Sequence, residues 1–279
     1  MFRSIGLILS ILVTAFAPAL PSAAATATAP PTIISVAHRG ASAYAPENTI
    51  AAFKLARQQR ADMFEIDIQM TKDQQLVLMH DMTLTRTTNV EEVFPDRSPW
   101  KVSDFTLEEI RTLDAGSWLG EQFKGEPVPT LGDTLRAMNG SPMDLLLEVK
   151  APELYPGIEA RTAGELERHR SWLRPNRLVV QSFNWDSMRT FHEVMPDVPI
   201  GLLGTPQAAR LVELATFADQ INPHYSTLSA EYVRQVHDLN MEVFTWTVDD
   251  PQTMRHVITL EVDGVITNKP DVLRAELSV

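Results

Sequence analysis

Apolar and polar positions alternate along most of this chain in a pattern that predicts strands followed by helices. Short apolar runs are each followed by a stretch in which apolar residues recur with helical spacing. Eight such runs are candidate strands: Ile33–Ala37, Met63–Gln69, Leu145–Lys150, Leu178–Gln181, Ile200–Leu203, Ala218–Ile221, Glu242–Thr247 and Gly264–Thr267. Because strands that alternate with helices form parallel sheets, and eight such units can close a sheet, the pattern predicts an α/β fold of the TIM (β/α)8 barrel type.

One long segment interrupts this alternation. Leu84–Pro129 separates the second strand from the next predicted helix, and it is longer than a barrel loop requires. It contains helical spacing at Leu107–Leu113 and two tryptophans, Trp100 and Trp118, that we expect to be exposed. We therefore predict a small insertion after the second strand, lying over the mouth of the barrel.

The first 25 residues have the features of a secretory signal peptide. Arg3 precedes an apolar run, Ile5–Leu20, and small residues follow at positions 22–25. The apolar run falls short of the roughly 20 residues that a membrane-spanning helix needs. We predict a signal peptide at 1–25, a linker at 26–32 and a barrel domain at 33–279. The protein is then periplasmic or secreted, without a stable membrane anchor after cleavage.

Charge and cysteine content narrow the classes of partner. The 279 residues include 36 acidic and 24 basic side chains, so the formal net charge is −12. A protein this acidic is a poor candidate for binding nucleic acid or anionic membranes. The chain has no cysteine, which excludes disulfides and thiolate metal ligands. Because the protein as a whole is negative, a site for phosphate would have to be a local group of cationic side chains.

Polar residues stand where the predicted strands end. Active sites of TIM barrels lie at the C-terminal ends of the strands, so chemically useful side chains should collect there. The residues at or just after these ends are His38 and Arg39, Glu65 and Asp67, His80, Glu148 and Lys150, Gln181, Trp246, and Asn268. The agreement between the strand pattern and these positions points to one site at the mouth of the barrel.

Three carboxylates at these ends suggest a metal site. Side chains on a strand alternate between faces, so Glu65 shares a face with Asp67, and Glu148 shares a face with Lys150. Buried carboxylates without partners are costly, and a divalent cation relieves their repulsion. Ligands that are all oxygen favour Mg²⁺ or Ca²⁺. The alternative is a structural ion-pair network in which Lys150 binds Glu148 and the other carboxylates are solvated.

Two histidines flank the same predicted mouth. His38 and His80 follow neighbouring strand ends, whereas three of the other histidines fall in helix-like stretches. Histidine can donate or accept a proton near neutral pH, and Arg39 offers a planar fork of donors that suits phosphate oxygens. The sequence contains no phosphate-binding P-loop, dinucleotide fingerprint or paired-histidine zinc helix. Together these features indicate phosphoryl-transfer chemistry.

Six segments carry a resemblance to a known family. They are "VAHRGASAYAPENTIAAF", "FEIDIQMTKDQQLVLMHD", "LLLEVK", "QSFNWDSM", "VFTWTVDD" and "GVITNKPDVL". In this order, from Val36 to Leu273, they resemble the glycerophosphodiester phosphodiesterase family. The resemblance implies a TIM barrel with a small insertion after the second strand. It also implies hydrolysis of a small glycerophosphodiester to sn-glycerol 3-phosphate and an alcohol.

The resemblance also implies roles for individual residues. Glu65, Asp67 and Glu148 match the family's metal ligands, and His38 and His80 match its general acid–base pair. Three further positions match substrate-binding residues: Arg39 and Lys150 for the phosphate and Trp246 for the pocket wall. Glu47 and Asn48 match a loop that supports the turn carrying His38. Which histidine is the acid stays open, as does the nucleophile, either water or the neighbouring glycerol hydroxyl through a cyclic phosphate.

Two other functions are compatible with the same residues. Acylated substrates would give lysophospholipase D activity, favoured by exposed apolar side chains of the insertion. The candidates for that surface are Phe94, Trp100, Phe105, Trp118 and Phe123. A barrel that binds a metal or phosphorylated ligand without catalysis is the second alternative, against which the intact histidines and carboxylates argue.

Overall fold

The strands of the computed structural model, which describes residues 33–278, form a closed barrel. The predicted signal peptide and linker, at 1–32, lie outside the described residues. The strands are β1 (Ile34–Ala37), β2 (Met63–Met70), β3 (Leu76–Leu78), β4 (Asp144–Val149), β5 (Leu178–Ser182), β6 (Ile200–Leu203), β7 (Gln220–Asn222), β8 (Glu242–Thr245) and β9 (Gly264–Thr267). Strands β1, β2, β4, β5, β6, β7, β8 and β9 pair in parallel in this order, and β9 pairs with β1. The predicted TIM barrel is confirmed.

Helices follow most of the strands and cover the outside of the barrel. They are α1 (Ile50–Gln58), α2 (Val90–Val93), α3 (Leu107–Ile110), α4 (Leu131–Ala137), α5 (Ile158–Arg168), α6 (Trp185–Val194), α7 (Ala208–Leu214), α8 (Ala230–His237), α9 (Pro251–Thr259) and α10 (Pro270–Glu276). Short polar side chains cap several N-termini, for example Thr49 at α1 and Asp250 at α9. Within residues 33–278, no helix combines the length and hydrophobicity needed to span a bilayer.

Strand alternation divides the barrel into two apolar regions and one polar region. On β2, Phe64, Ile66 and Ile68 pack outward into the large core between sheet and helices. A smaller cluster fills the barrel interior and consists of Val36, Met63, Leu146, Val179, Phe244 and Ile266. Glu65 and Asp67 are buried and belong to neither apolar cluster. The predicted alternation along β2 is therefore confirmed.

The chain after β2 turns back on itself before entering the insertion. β3 runs antiparallel to β2, with Leu78 opposite Ile68. The sequence suggested only an apolar extension at this point, because a three-residue strand is too short to show a period. The hairpin returns the chain toward the mouth of the barrel, so that His80 follows β3 beside the ends of the parallel strands.

The insertion packs around a separate hydrophobic core, to which Val77 on β3 and Met79 also contribute. Its buried members from the insertion are Leu84, Val90, Val102, Phe105, Ile110, Leu113, Ala115 and Val128. Phe94 and Trp100 pack against this core, and the indole N–H of Trp100 donates to the carbonyl of Phe94 at 2.8 Å. The expectation that Trp100 is exposed is therefore wrong, and Phe105 is buried as well. Trp118 is 39% exposed, as predicted.

Candidate active site

Three carboxylates meet inside the mouth of the barrel. Glu65 and Asp67 lie on β2, and Glu148 on β4 stands directly opposite Asp67 in the strand register. One oxygen of each carboxylate lies within 4.8 Å of one oxygen of each of the others, and all three residues are buried. Strand alternation places Glu65 and Asp67 on one face, and the β2–β4 register adds Glu148 to them.

Two cations partly compensate this negative charge. Lys150 Nζ lies 2.6 Å from Glu148 Oε1 and 3.7 Å from Asp67 Oδ1. Arg39 Nε lies 3.2 Å from Asp67 Oδ2, and the Arg39 backbone N–H donates to Glu65 Oε2 at 2.8 Å. Burial alone would raise the pKa of Asp67, but the charges of Arg39 and Lys150 outweigh burial and lower it. Asp67 is therefore the carboxylate most firmly ionised.

The compensation is incomplete for the other two carboxylates. Burial and the charge of Asp67 raise the pKa of Glu148 to about 7. Burial and the charges of Asp67 and Glu148 also raise the pKa of Glu65 well above its usual range. Glu65 Oε1 and Asp67 Oδ1 are buried, and neither has a hydrogen-bond partner within residues 33–278. A structural ion-pair network explains the contacts of Lys150 with Glu148 and Asp67 but leaves both oxygens without a hydrogen bond, whereas a divalent cation fits them.

The turn after β1 holds Arg39 in a constrained backbone conformation. Arg39 has a φ of 56° and Gly40 has a φ of 82°, both in the left-handed region. Such conformations are uncommon for residues other than glycine and concentrate at functional sites. A Cβ on Gly40 would lie 2.6 Å from the Cβ of Ala52 on α1. Glycine thus allows the turn that carries His38 to sit close against the helix.

The loop before α1 supports this turn. Asn48 Nδ2 donates to Asp67 Oδ2 at 2.8 Å, and Asn48 Oδ1 accepts from the Asp67 backbone N–H at 3.1 Å. The Asn48 backbone N–H donates to the Arg39 carbonyl at 3.0 Å. Glu47 Oε1 accepts from Arg39 Nη1, also at 3.0 Å. Glu47 and Asn48 therefore hold Arg39 and Asp67 in place, which is the supporting contact that the resemblance implies.

His38 is held by an amide from the last strand end. His38 Nδ1 lies 2.7 Å from Asn268 Oδ1, which also accepts from the hydroxyl of Ser42 at 2.7 Å. Asn268 Nδ2 donates to Asp249 Oδ2 at 2.6 Å, and its backbone N–H donates to Asp249 Oδ1 at 2.8 Å. Because a carboxylate only accepts hydrogen bonds, Asp249 must face the NH₂ group of Asn268. The amide oxygen of Asn268 is then the atom that faces the imidazole of His38. His38 consequently carries its proton on Nδ1.

His80 is held by a carboxylate instead. His80 Nδ1 lies 2.7 Å from Asp81 Oδ1, so this ring also carries a proton on Nδ1. Gln69 Nε2 donates to the backbone carbonyls of residues 79, 80 and 81 at 2.8, 3.2 and 2.7 Å. The hydroxyl of Tyr155 donates to Gln69 Oε1 at 2.7 Å. The backbone of the His80 loop is therefore fixed by a side chain from β2.

Both rings lose a proton more readily than a free imidazole. Burial, assisted by the charge of Arg39, lowers the pKa of His38 to about 4. Burial also lowers the pKa of His80; the charge of Asp67 opposes this, and the charges of Arg39 and Lys150 add to it. Each imidazole is therefore mainly neutral at pH 7 before a ligand binds, with Nε2 able to accept a proton.

A cavity at the mouth joins these groups. It is lined by His38, Arg39, Glu65, His80, Glu148, Lys150, Gln181, Phe183, Leu203, Trp246, Thr247 and Ile266. Phe183 is 54% exposed, and its ring meets Trp246 at 90° with centroids 5.5 Å apart. The indole N–H of Trp246 donates to the Asn222 carbonyl at 2.8 Å, which fixes that ring. The lining thus combines an aromatic pair with charged side chains, and Lys150 Nζ lies 5.8 Å from the centroid of the Phe183 ring.

The structure brings most of the sequence-predicted site residues to this cavity, and Asp67, which is not among its lining residues, contacts two that are, Arg39 and Lys150. Sequence reasoning did not single out Gln69 or Asp249. Gln69 could have been found, because period-two alternation puts it on the same face as Glu65 and Asp67. Asp249 reaches Asn268 only through the folded loop after β8, and nothing local marks it.

Comparisons with known proteins agree with this architecture. The sequence model of the Glycerophosphoryl diester phosphodiesterase family matches residues 38–272. A glycerophosphodiester phosphodiesterase of Bacillus subtilis (strain 168) is 36% identical over 285 residues, covering 96% of this chain and 93% of the relative. One from Caldanaerobacter subterraneus is 39% identical over 244 residues, covering 85% of this chain and 95% of the relative.

Solved structures extend the likeness to three dimensions. A phosphodiesterase of Oleispira antarctica, in complex with the product sn-glycerol-3-phosphate, superposes with a TM-score of 0.78 at 27% identity. The match covers 88% of this chain and 97% of that one. Sequence match, overall fold and the buried acidic cluster therefore agree, and this chain belongs to the glycerophosphoryl diester phosphodiesterase family.

Proposed function

We propose that this protein hydrolyses glycerophosphodiesters to sn-glycerol 3-phosphate and an alcohol with the help of a divalent cation. The observation that carries the proposal is the buried cluster of Glu65, Asp67 and Glu148, which lies beside two histidines at one cavity. Family membership supports the reaction class, and the product named in the Oleispira antarctica complex supports the released phosphate monoester.

Glu65, Asp67 and Glu148 would hold the cation. Their donor atoms are all oxygen, which suits Mg²⁺ or Ca²⁺ rather than a soft metal. A bound cation would supply positive charge to the phosphate group as its negative charge redistributes in the transition state. Glu65 Oε1 and Asp67 Oδ1 support this role, since neither accepts a hydrogen bond from any of the described residues, and Lys150 Nζ approaches Asp67 Oδ1 only to 3.7 Å.

Arg39 and Lys150, which line the cavity, would contact the phosphate oxygens. Burial tends to lower the pKa of each, but the neighbouring carboxylates outweigh it and raise both pKa values, so both side chains stay charged. Trp246 and Phe183, which line the same cavity, would pack against the carbon atoms of the substrate. The cavity would thereby orient the phosphorus between the two histidines.

We assign His38 as the general base. Its Nδ1 proton faces the neutral amide of Asn268, and Nε2 holds the free lone pair. With the pKa near 4, the ring is neutral throughout the physiological range. Nε2 would remove the proton from the attacking hydroxyl, which belongs either to water or to the glycerol moiety. In the second case a cyclic phosphate forms as the alcohol leaves, and water must then open it to give sn-glycerol 3-phosphate.

We assign His80 as the general acid. Its Nδ1 faces the Asp81 carboxylate, which stabilises the imidazolium form, whereas the amide beside His38 does so less. An anionic phosphodiester in the cavity adds charge that raises the pKa of His80. The protonated Nε2 would then donate its proton to the oxygen of the departing alcohol as the P–O bond breaks.

Measuring turnover of three glycerophosphodiesters tests the proposal. Glycerophosphocholine, glycerophosphoethanolamine and glycerophosphoglycerol should each release sn-glycerol 3-phosphate, and excess EDTA should abolish the release until Mg²⁺ or Ca²⁺ is restored. Glu65→Gln should lose most activity, whereas Glu193→Gln, an exposed carboxylate on α6, should not. Full activity of the metal-stripped protein would refute metal dependence.

The two alternative functions have less support. Phe105 is buried, and Phe94 and Trp100 pack against the insertion's own core, so these three do not form an apolar surface for an acyl chain. Comparing glycerophosphocholine with its acylated form tests lysophospholipase D activity directly. Binding without turnover of either compound would instead favour the non-catalytic barrel.

We also propose that the protein is exported. The support lies in the sequence alone: Arg3, the apolar run Ile5–Leu20 and the small residues that follow it. N-terminal sequencing of protein recovered outside the cytoplasm should begin near residue 26. Recovery of an intact Met1 on exported protein would contradict cleavage.

A further inference from the structure

Arg86, at the start of the insertion, lies between two carboxylates of the site. Its Nε and Nη2 donate to Asp81 Oδ2 and Oδ1 at 2.6 and 2.9 Å. Its Nη1 and Nη2 donate to Glu47 Oε2 and Oε1 at 2.7 and 2.8 Å. Four hydrogen bonds therefore engage two edges of one guanidinium, an arrangement that the single ammonium of lysine cannot reproduce.

Each of these carboxylates is also bonded to a residue with a proposed role in the reaction. Asp81 Oδ1 accepts from His80 Nδ1 at 2.7 Å, and Glu47 Oε1 accepts from Arg39 Nη1 at 3.0 Å. Arg86 thus lies at the centre of a hydrogen-bonded chain that runs from His80 to Arg39. These two side chains come from different strand ends, β3 and β1, and the chain of contacts links them.

The charges around Arg86 agree with a positioning role. Hydrogen bonds from Arg86 hold the pKa of Asp81 well below its usual range. Burial would raise the pKa of Glu47, but hydrogen bonds from Arg86 and the charge of Arg39 lower it. Without this guanidinium, each carboxylate would lose its firmest partner, and two like charges would face each other with one cation fewer.

We propose that Arg86 is a positioning residue for the reaction, holding Asp81 against His80 and Glu47 against Arg39. The inference rests on the function proposed above, because it assigns Arg86 a role through the general acid and a phosphate-binding cation. Arg86 belongs to the 84–129 insertion, for which the sequence suggests only an apolar surface that would favour acylated substrates. Through this one side chain, the insertion also takes part in the chemistry.

A matched pair of arginines tests the inference. Arg97 is also in the insertion, where it bonds Glu109 and the Asp104 carbonyl and stacks 3.9 Å above the Phe105 ring. The side chains of Arg86 and Arg97 are 43% and 32% exposed. Arg97→Ala therefore removes a comparable group from the insertion without touching Asp81 or Glu47, and reports the purely structural cost.

Arg86→Ala should lower kcat on glycerophosphocholine by roughly 10²-fold, the scale of a small misplacement of reacting groups. Arg86→Lys should recover little, because it lacks the planar fork. Added guanidinium should restore activity to Arg86→Ala but not change Arg97→Ala. The loss should shrink on a p-nitrophenyl diester, whose leaving group departs without the proton from His80.

Several results would overturn the inference. They are near-normal kcat in Arg86→Ala, an equal loss in Arg97→Ala, or no response to guanidinium. If the wild-type protein releases sn-glycerol 3-phosphate from no substrate, the proposed function fails, and the crystal structure of Arg86→Ala decides the inference by itself. Displacement of Asp81 from His80 would then support positioning, and an unchanged pair would exclude it.

Discussion

Asn268 Oδ1 lies 2.7 Å from His38 Nδ1, although the two residues are 230 positions apart in the chain. The partner of His38 is thus a neutral amide, while that of His80 is the carboxylate of Asp81. This difference adds to one in burial, since the side chain of His80 is 31% exposed and His38 is more deeply buried. It predicts that the base and the acid can be told apart by replacing their partners.

Replacing Asn268 by Asp should move the acidic limb of the pH profile. The new carboxylate faces both His38 Nδ1 and the Asp249 carboxylate, and a proton on the imidazole relieves their repulsion, so the pKa of His38 should rise from about 4 by roughly one unit or more. A general base works when it is neutral, so a higher pKa means less active enzyme at low pH. The acidic limb of kcat/KM should shift to higher pH. Asn139→Asp, which adds the same charge at an exposed position, should not shift it.

His38→Ala and His80→Ala should differ in how their turnover depends on the leaving group of the substrate. Each variant should lose roughly 10²–10⁴ in turnover of glycerophosphocholine, the usual contribution of one acid–base group. His80→Ala should recover much of its rate on a p-nitrophenyl diester, and His38→Ala should not. His256, exposed on α9, provides the control. Recovery by His38→Ala instead would reverse the assignment.

In the metal-free protein, the acidic cluster should lower the free energy of unfolding by an amount that depends on pH. The pKa of Glu148 is about 7 in the fold, against an ordinary value of 4.5, so the folded state binds more protons between these limits. Stability therefore falls as pH rises through this window, by on the order of 3 kcal/mol for this group. Compared with Glu148→Gln, the wild type should lose stability from pH 4.5 to 7 in urea denaturation.

Adding Mg²⁺ or Ca²⁺ should reverse that loss in the wild type. A cation that binds only the folded state raises the free energy of unfolding by about 2.7 kcal/mol at 100 times its Kd. Glu148→Gln should respond much less, because one ligand has lost its charge. Equal stabilisation of both proteins would mean that the cation binds elsewhere.

Two tryptophans of the insertion should differ in their effect on stability. Trp100 packs against the insertion core and bonds Phe94, so Trp100→Ala should cost about 2–4 kcal/mol of unfolding free energy. Trp118 is 39% exposed, and Trp118→Ala should cost below about 1 kcal/mol. Urea denaturation of both variants measures the difference. Similar costs would contradict the packing described for Trp100.

Much of the fold could be predicted from the pattern of apolar residues. The eight parallel strands are buried runs bounded by helices with a clear period, so their existence follows from burial alone. The same period-two rule placed Glu65 and Asp67 on one face of β2. The strand at Leu76–Leu78 could not be predicted, because three residues are too few to show the alternation of apolar and polar positions.

The remaining features depend on contacts between distant segments. Arg86 meets Glu47 across 39 positions, and only the folded insertion makes this contact visible. The sequence pattern does not predict that Phe105 is buried or that Trp100 packs against the insertion core. The insertion has irregular structure, so no helical or strand period indicates which of its side chains form the core. Local patterns predict elements well, but they do not predict which polar side chains meet.

The pairing of β1 with β9 has a consequence for biogenesis. The two strands come from opposite ends of the described chain, and His38 meets Asn268 only after the last strand has closed the barrel. A ribosome-bound chain or a C-terminal truncation that lacks β9 would contain His38, His80 and all three carboxylates, yet leave the imidazole of His38 without its amide. Hydrolytic activity should therefore appear only after the barrel has closed. An enzyme built in this way would be inactive during its own synthesis.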